Sequence, residues 1–422
     1  MSEGLICGID VGSTKIATIV SIQPKDEEKL RVVGFDVTRS RGVKRGLIVD
    51  IDQVTEAVEE SIEKAERMVG RKITSAYVSV GGPHISSMNS QGVVAVSDPQ
   101  GEIIEEDVAR VVEAARAVSL SSTKQIIEVI PRGFTVDGQE GIKNPIGMSG
   151  VRLEVETHII TASLTNLKNL DRCLSDLGIE NNGFIFSGLA SAQAVLTETD
   201  RELGVVLVDI GGGKTDICLY QDGSLAYSCS ISIGARHITN DIAVGLRVSL
   251  DSAEKIKIYL SKPPKIDKDI KELRNENDLE ALNLPESISS TSAKTVVDGI
   301  IGARLEEIFK LIGEEIEKSG YGQEIPAGLV ITGGGAHTVG ISDVGRKVLG
   351  LPLRVGKPEN ITGLIDEIIE PQFSTTAGLI LYGGKNIIEV DKGIMKFNKI
   401  FKDFSLSRTM SKIKEIFKQF IP

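Results

Sequence analysis

At 422 residues the chain is too long for one compact core, and roughly two to four domains are expected. Its composition, 41% hydrophobic and 25% charged without tryptophan, is that of an ordinary soluble globular protein. A net charge of −11 argues against nucleic acid as the main partner. With no charged-then-apolar leader and no run of about 18 apolar residues, a cytoplasmic chain without a spanning helix is expected. Cys7, Cys173, Cys218 and Cys229 form no CxxC pair and read as buried free thiols, while His84, His158, His237 and His337 lack zinc-ligand spacing.

From residue 5 to 36 the pattern predicts three strands, LICGIDVG, KIATIVSI and LRVVGFDV, then a helix over 53–68 and a strand over 73–80. Residues 83–161 read differently. A strand (HISSMNSQGVVAV), a helix over 105–118, a short strand (QIIEVI) and a long strand (VRLEVETHIITAS) make a compact α+β insert. At 203–217 the opening of the chain is repeated, with a strand ending in Asp-x-Gly and a second strand after it, which indicates an internal duplication. Helices follow over 237–246 and 251–260, then a charged irregular segment over 263–292. A long helix over 295–317, the strand GLVITGGG, a helix starting near Thr338 and a last helix over 374–382 complete the core.

Three glycine-rich turns carry the chemistry: GIDVGSTK (8–15), DIGGGKTD (209–216) and ITGGGAHT (331–338). Turns without side chains let backbone N–H groups approach an anion closely. In the first two a strand follows rather than a helix, so they are hairpin-type phosphate loops and not the helix-opening kind. The nucleotide-binding residues expected are Gly12, Ser13, Thr14 and Lys15, then Gly211, Gly212, Gly213, Lys214 and Thr215, then Gly333, Gly334, Gly335 and Ala336. Asp10 and Asp209, two residues before the glycines, are expected to hold magnesium through waters. An aspartate is costly at a buried strand end, so its recurrence points to a ligand rather than to turn chemistry alone.

The loops resemble the two phosphate motifs and the adenosine motif of the actin, sugar-kinase and heat-shock-chaperone superfamily. The resemblance implies an α/β, actin-like two-domain fold around a nucleotide cleft. In AEKIKI (253–258) it implies that Glu254 and Lys257 face the ribose and adenine. Where relatives place a water-positioning glutamate, this chain has Ser187 in FSGLASAQAV, which implies slow ATP turnover.

The tail reverses the chain's charge. Residues 396–422 hold seven basic and two acidic residues and five of the eleven phenylalanines. Leu406, Met410, Ile413, Phe417, Phe420 and Ile421 form one helical stripe, with Arg408, Lys412, Lys414 and Lys418 around it. A docked terminal helix would also suit that stripe, but the basic polar face favours a helix lying in an anionic membrane surface.

With the insert and this tail, the chain resembles the bacterial cell-division protein FtsA over nearly its whole length. That implies an ATP- and magnesium-binding protein that polymerises head to tail at the cytoplasmic face of the cell membrane, at the division septum. There it binds anionic lipid, tethers the C-terminal tail of FtsZ and recruits later division proteins. Lys294 and Arg304 match basic positions of the family's peptide site. The expected divisions are 1–82 and 162–202 for the first domain, 83–161 for the insert and 203–383 for the second domain, with a lobe over about 240–300. A linker over 384–404 and an amphipathic helix over 405–422 follow. A pilus-assembly protein like PilM and a small-molecule kinase with Asp216 as base are the alternatives on the same fold.

Overall fold

The structure, a computed structural model, describes residues 4–391 apart from 25–26, 28, 263–278, 280–281, 287–291, 323 and 365–367; the side chains of 386–391 are also outside the description. Three antiparallel strands open it, β1 (Leu5–Val11), β2 (Lys15–Ile22) and β3 (Leu30–Arg39). A two-residue hairpin, β4 (Val43–Lys44) and β5 (Leu47–Ile48), leads to helix α1 (Ile51–Val69) and strand β6 (Ser75–Val80). β2 is buried along both faces, as its unbroken apolar run requires. α1 is capped by Asp50, which accepts from the Gln53 N–H at 3.1 Å, and it stops at Gly70 in the left-handed region. Its buried face, Val54, Ala57, Val58, Ile62 and Ala65, follows helical spacing and packs on β3.

The insert has its own sheet. β7 (Ser86–Ala95), helix α2 (Glu105–Arg116), β8 (Lys124–Val136), β9 (Gln139–Ile142) and β10 (Arg152–Ser163) give the strand order β7-β10-β8-β9. α2 covers one face over a separate small core around Val111, Phe134 and Leu153. The short strand expected at QIIEVI is the start of β8, which passes through Pro131 because the register shifts beside that residue and frees the ladder from needing its N–H.

The chain then re-enters the first domain through α3 (Leu164–Asp176), β11 (Glu180–Phe186), α4 (Ser187–Val195) and α5 (Glu198–Leu203). The second half begins with β12 (Val205–Ile210), β13 (Thr215–Gln221), β14 (Ser224–Ile231), α6 (Ala235–Leu246) and α7 (Leu250–Ser261). A stretch of π-helical turns (Thr295–Ile301) runs into α8 (Gly302–Ser319), followed by β15 (Leu329–Thr332), α9 (Ile341–Leu349) and β16 (Leu353–Val355). β17 (Ile361–Gly363) and α10 (Ser374–Asp391) close the described chain.

The two main sheets share one plan. The first runs β11-β6-β1-β2-β3-β17 and the second β16-β15-β12-β13-β14. In each, the first three strands in sequence are antiparallel, the next strand of the sheet pairs parallel with the first, and the one after it pairs parallel with that strand. This is the architecture expected of an internal duplication.

Several details differ from the sequence reading. The third glycine loop enters a 3₁₀ turn (Gly334–His337), and α9 starts only at Ile341, after Gly340 in the left-handed region. β17 and α10 do not stay with the second domain: β17 pairs parallel with β3, and α10 packs on β1 and α4. α10 also runs past 384, where a linker was expected. The rest of that linker and the 405–422 helix lie outside the described residues. The four cysteines are free, with Cys7, Cys173 and Cys218 buried and Cys229 half-buried.

α4 and α10 cross so closely that a Cβ at Gly378 would overlap the Ala190 carbonyl. Gly378→Ala is therefore expected to cost about 2–3 kcal/mol in urea unfolding. Gly299→Ala, exposed and with open space around its Cβ, should change stability by less than about 1 kcal/mol. Equal costs at the two positions would show that the crossing yields to a methyl group.

Candidate functional site

The β1–β2 and β12–β13 hairpins face each other. Their turns are closed by the same bond: the Gly12 N–H donates to the Lys15 carbonyl at 3.0 Å, and the Gly211 N–H to the Lys214 carbonyl at 2.9 Å. The loops nearly touch. A Cβ at Gly213 would lie 2.9 Å from Ser13 Oγ, and one at Gly212 would overlap the Thr14 side chain. The third loop closes in behind them, with Gly333 in the left-handed region, where a Cβ would overlap Asp209 Oδ1.

Between the loops lies a cleft of about 1100 Å³. Asp10, Gly12, Ser13, Thr14, Lys15, Asp209, Gly211, Gly212, Gly213, Lys214, Gly333, Gly334 and Gly335 all line it, as do Glu254 and Lys257 on α7. The last two bond to each other at 2.8 Å, and both reach the Thr239 hydroxyl on α6. Two expected residues do not line the cleft. Thr215 is fully buried on the other side of β13 and donates to the Ile233 carbonyl at 2.8 Å; Ala336 is buried in the second-domain core.

Hydroxyl groups fix the two aspartates. Ser79 Oγ donates to Asp10 at 2.6 Å, while Ser191 Oγ and Thr375 Oγ1 donate to Asp209 at 2.5 and 2.9 Å. Burial, then the nearby Asp216 carboxylate, pushes the Asp209 carboxyl up to about 6. Lys214 is ion-paired with Asp216 and donates to Ser187 Oγ at 3.0 Å. Burial pulls its ammonium down, but Asp216, Asp209 and Asp10 more than offset this and hold it above the usual lysine value. Lys15 shows the opposite balance: burial pulls it down to about 8 against Asp10 and Asp209, and its Nζ rests on the Gln372 carbonyl, 4.3 Å from the Phe373 ring centre.

Ser187 is deep in the same cluster. Its hydroxyl donates to the Val80 carbonyl at 3.0 Å and accepts from Lys214. The basic pair suggested for a peptide is split. Arg304 is held by Asp241 through two bonds, of 2.5 and 2.8 Å, and by Glu307, whereas Lys294 is exposed. The tail residues Leu406 to Ile421 lie outside the described residues. Sequence reading missed Arg39, Ser40, Arg236, Gln372 and Thr375 as lining residues. They come from scattered elements and carry no spacing signal.

Two like sheets around this cleft, with facing Asp-x-Gly hairpins and a third glycine loop, define an actin-like protein. The fold is similar to that in the PilM–PilN type IV pilus biogenesis complex, at a TM-score of 0.62 and 15% identity, covering 90% of this chain and 98% of that one. It is also similar to MreB5 of Spiroplasma citri bound to ADP, at 0.52 and 13%, covering 92% and 98%. The family model "SHS2 domain inserted in FTSA" matches residues 82–161, and that of "Cell division protein FtsA" matches 206–378. Cell division protein FtsA of Borreliella burgdorferi is 40% identical over 418 residues, covering 98% of this chain and 97% of its own. That of Escherichia coli is 34% identical over 406 residues, covering 93% of each. The chain belongs to the FtsA family of cell-division proteins. Its likeness to PilM reflects the shared fold. Among the described residues no helix is long and apolar enough to cross a membrane.

The raised Asp209 carboxyl sets a pH dependence. A carboxyl with a folded value of about 6 against an unfolded value of about 3.9 contributes stability below pH 4 that is lost as pH rises through 6. Relative to wild type, Asp209→Asn in ligand-free protein should gain up to about 3 kcal/mol between pH 4 and 7. Urea unfolding of both proteins across that range checks it, and a stability difference independent of pH would place Asp209 among ordinary carboxyls.

Proposed function

We propose that the cleft binds ATP with magnesium, and that the chain assembles head to tail at the cytoplasmic face of the cell membrane, at the division septum. There it would tether the C-terminal tail of FtsZ and bring in later division proteins. The observation that carries this reading is the facing pair of Asp-x-Gly hairpins in a chain of the FtsA family. Their glycines leave backbone N–H groups room to approach phosphate oxygens. Glu254 and Lys257 offer polar atoms to the ribose and base.

The residues also fit a hydrated magnesium ion. Asp10 and Asp209 are carboxylates of the cleft wall, and no three close His, Cys, Asp or Glu ligands occur among the described residues. Waters and phosphate oxygens would therefore fill most of the coordination sphere, as magnesium prefers. The ion would neutralise phosphate charge. Turnover is expected to be slow, because the Ser187 hydroxyl, already donating to Val80 and accepting from Lys214, is neither a base nor free to orient a water. The Lys214 pairing also speaks against Asp216 as the base of a kinase.

Membrane attachment rests on the 405–422 stripe and its basic flank. One such helix binds modestly, so assembly of many copies would strengthen attachment by avidity. For an acidic peptide, exposed Lys294 is the better of the two basic positions, since Arg304 would have to give up Asp241 and Glu307.

Co-pelleting with anionic liposomes, ATP and magnesium tests the whole reading. The full chain should pellet and coat vesicles with filaments, and a chain ending at Phe404 should remain in solution. If both stay in solution, membrane attachment by this tail is wrong. ATP turnover by the pure protein should run at least about a hundred-fold below the roughly 10 s⁻¹ of a typical enzyme. A fast rate without filaments would sink the assignment of Ser187.

A further inference from the structure

Helix α7 is the wall of the cleft that carries Glu254 and Lys257, yet apolar packing holds it lightly. Of its 12 residues only Ser252, Ala253 and Ile256 are buried, with Tyr259 and Leu260 half-buried at its C-terminal end. At the N-terminal end Leu250 is exposed. A helix with so narrow a buried face depends on polar contacts for its position. Glu254 and Lys257 reach the Thr239 hydroxyl, and Ser261 at the far end accepts from the Val339 N–H at 3.2 Å. Neither contact holds the first turn.

That turn is held from outside the cleft. Leu279, Leu282 and Leu284 pack into the second-domain core, and Glu286 follows them. Its carboxylate accepts from the Ser249 N–H at 2.8 Å through Oε1 and from the Ser252 hydroxyl at 2.6 Å through Oε2. The Ser252 hydroxyl in turn accepts from Ser249 Oγ at 2.9 Å, so two hydroxyls are aligned toward one charge. Capping alone does not call for this arrangement. Ser249 Oγ already accepts from the Ser252 N–H at 3.2 Å, the ordinary bond of an N-cap serine. Glu286 stands 37 residues from Ser249 in the chain, so its bonds tie α7 to the body of the second domain. A carboxylate is also favoured at a helix N-terminus.

We infer that Glu286 is a positioning residue for nucleoside recognition, fixing the first turn of α7 and with it the place of Glu254 and Lys257. The inference rests on the ATP reading above. Glu254 lies two residues beyond Ser252, about 3 Å along the helix axis, so a first turn free to move would carry that carboxylate with it. The phosphate loops are set by the β1–β2 and β12–β13 hairpins through their own closing bonds, not by α7. Affinity is then divided between two independently held sides, the hairpins for the polyphosphate and α7 for the nucleoside.

The test compares ATP with inorganic tripolyphosphate, in saturating magnesium, as competitors for a fluorescent ATP analogue on the full chain. Both should displace the analogue from wild type. Glu286→Ala should lose about ten-fold in ATP affinity and under about two-fold in tripolyphosphate affinity. Ser252→Ala, which removes only the hydroxyl that the carboxylate receives, should show the same selective loss at about three-fold or more. If Glu286→Ala does not fold by circular dichroism, this milder variant carries the expectation. Equal losses for the two ligands, as a general loosening of the second domain would give, would overturn the inference and leave the nucleotide reading intact. ATP affinity unchanged in both variants would do the same. So would a wild type from which tripolyphosphate displaces nothing, because the hairpins would then not hold a phosphate chain by themselves. Wild-type protein that bound no ATP would remove both.

Discussion

The cleft is governed by the burial of carboxylates where two hairpins almost touch. Asp209 and Asp216 are nearly inaccessible, and Asp10 stands across from them in the first hairpin. Charge buried in that way is costly unless it is bonded and balanced. The balance comes from the hydroxyls of Ser79, Ser191 and Thr375 and the ammonium groups of Lys15 and Lys214. The glycines belong to the same arrangement. A side chain at Gly212 or Gly333 would push a hairpin away from its neighbour, admit water and remove the reason for the aspartates to be there. Glycine content and charge placement are therefore two aspects of one constraint, and the remainder of the fold holds the hairpins at that distance.

That constraint explains which parts were legible in the sequence. Strands β1, β2 and β12 are unbroken apolar runs ending in Asp-x-Gly, so period, boundary and duplication could all be read from them. The insert was legible because its alternating strands differ in texture from the buried strands around it. β17 was not, since three residues carry no period and its place beside β3 is decided by the path of the chain after β16. The return of α10 to the first domain is a matter of packing on α4, fixed by Gly378, and no local propensity encodes it. Thr215 is different, because a signal existed. Side chains alternate along β13, so a cleft-facing Asp216 requires Thr215 to point the other way. Membership of a motif does not give orientation. Arg304 likewise read as a free cation because Asp241, which holds it, is far off in sequence.

The insert shows how the second domain is tied to the first beyond the cleft. Its chain is rooted in the first domain, between β6 and α3, yet its polar strand β7 lies along β14, the edge strand of the second sheet. An exposed edge strand invites unwanted pairing. Here it is covered by side chains: Ser87 donates to the Ser228 carbonyl at 2.6 Å and Asn89 to the Ala226 carbonyl at 3.2 Å. His158 sits between, 2.7 Å from Asn89 and 2.8 Å from Ser228, with burial first and then Arg132 pulling its imidazole down to about 3. The ring is thus neutral at any ordinary pH, and the seam keeps one pattern of donors and acceptors.

A seam of this kind differs from an apolar interface in how it responds to motion. Separating apolar faces exposes surface in proportion to area, whereas discrete hydrogen bonds either hold or exchange partners at small cost while the groups stay paired. While the Ser87, Asn89 and His158 bonds hold, the insert must follow β14. Since β14 is continuous with the β12–β13 hairpin that carries Asp209 and Lys214, a shift of that hairpin relative to β1 and β2 cannot leave the insert in place relative to the first domain. The loop glycines Gly81 and Gly82 at the root of the insert lie at that junction: Gly81 borders the Lys214 ammonium, and the Gly82 N–H donates to Ser230 Oγ on β14 at 3.0 Å. The bottom of the cleft and the root of the insert are therefore the same few residues.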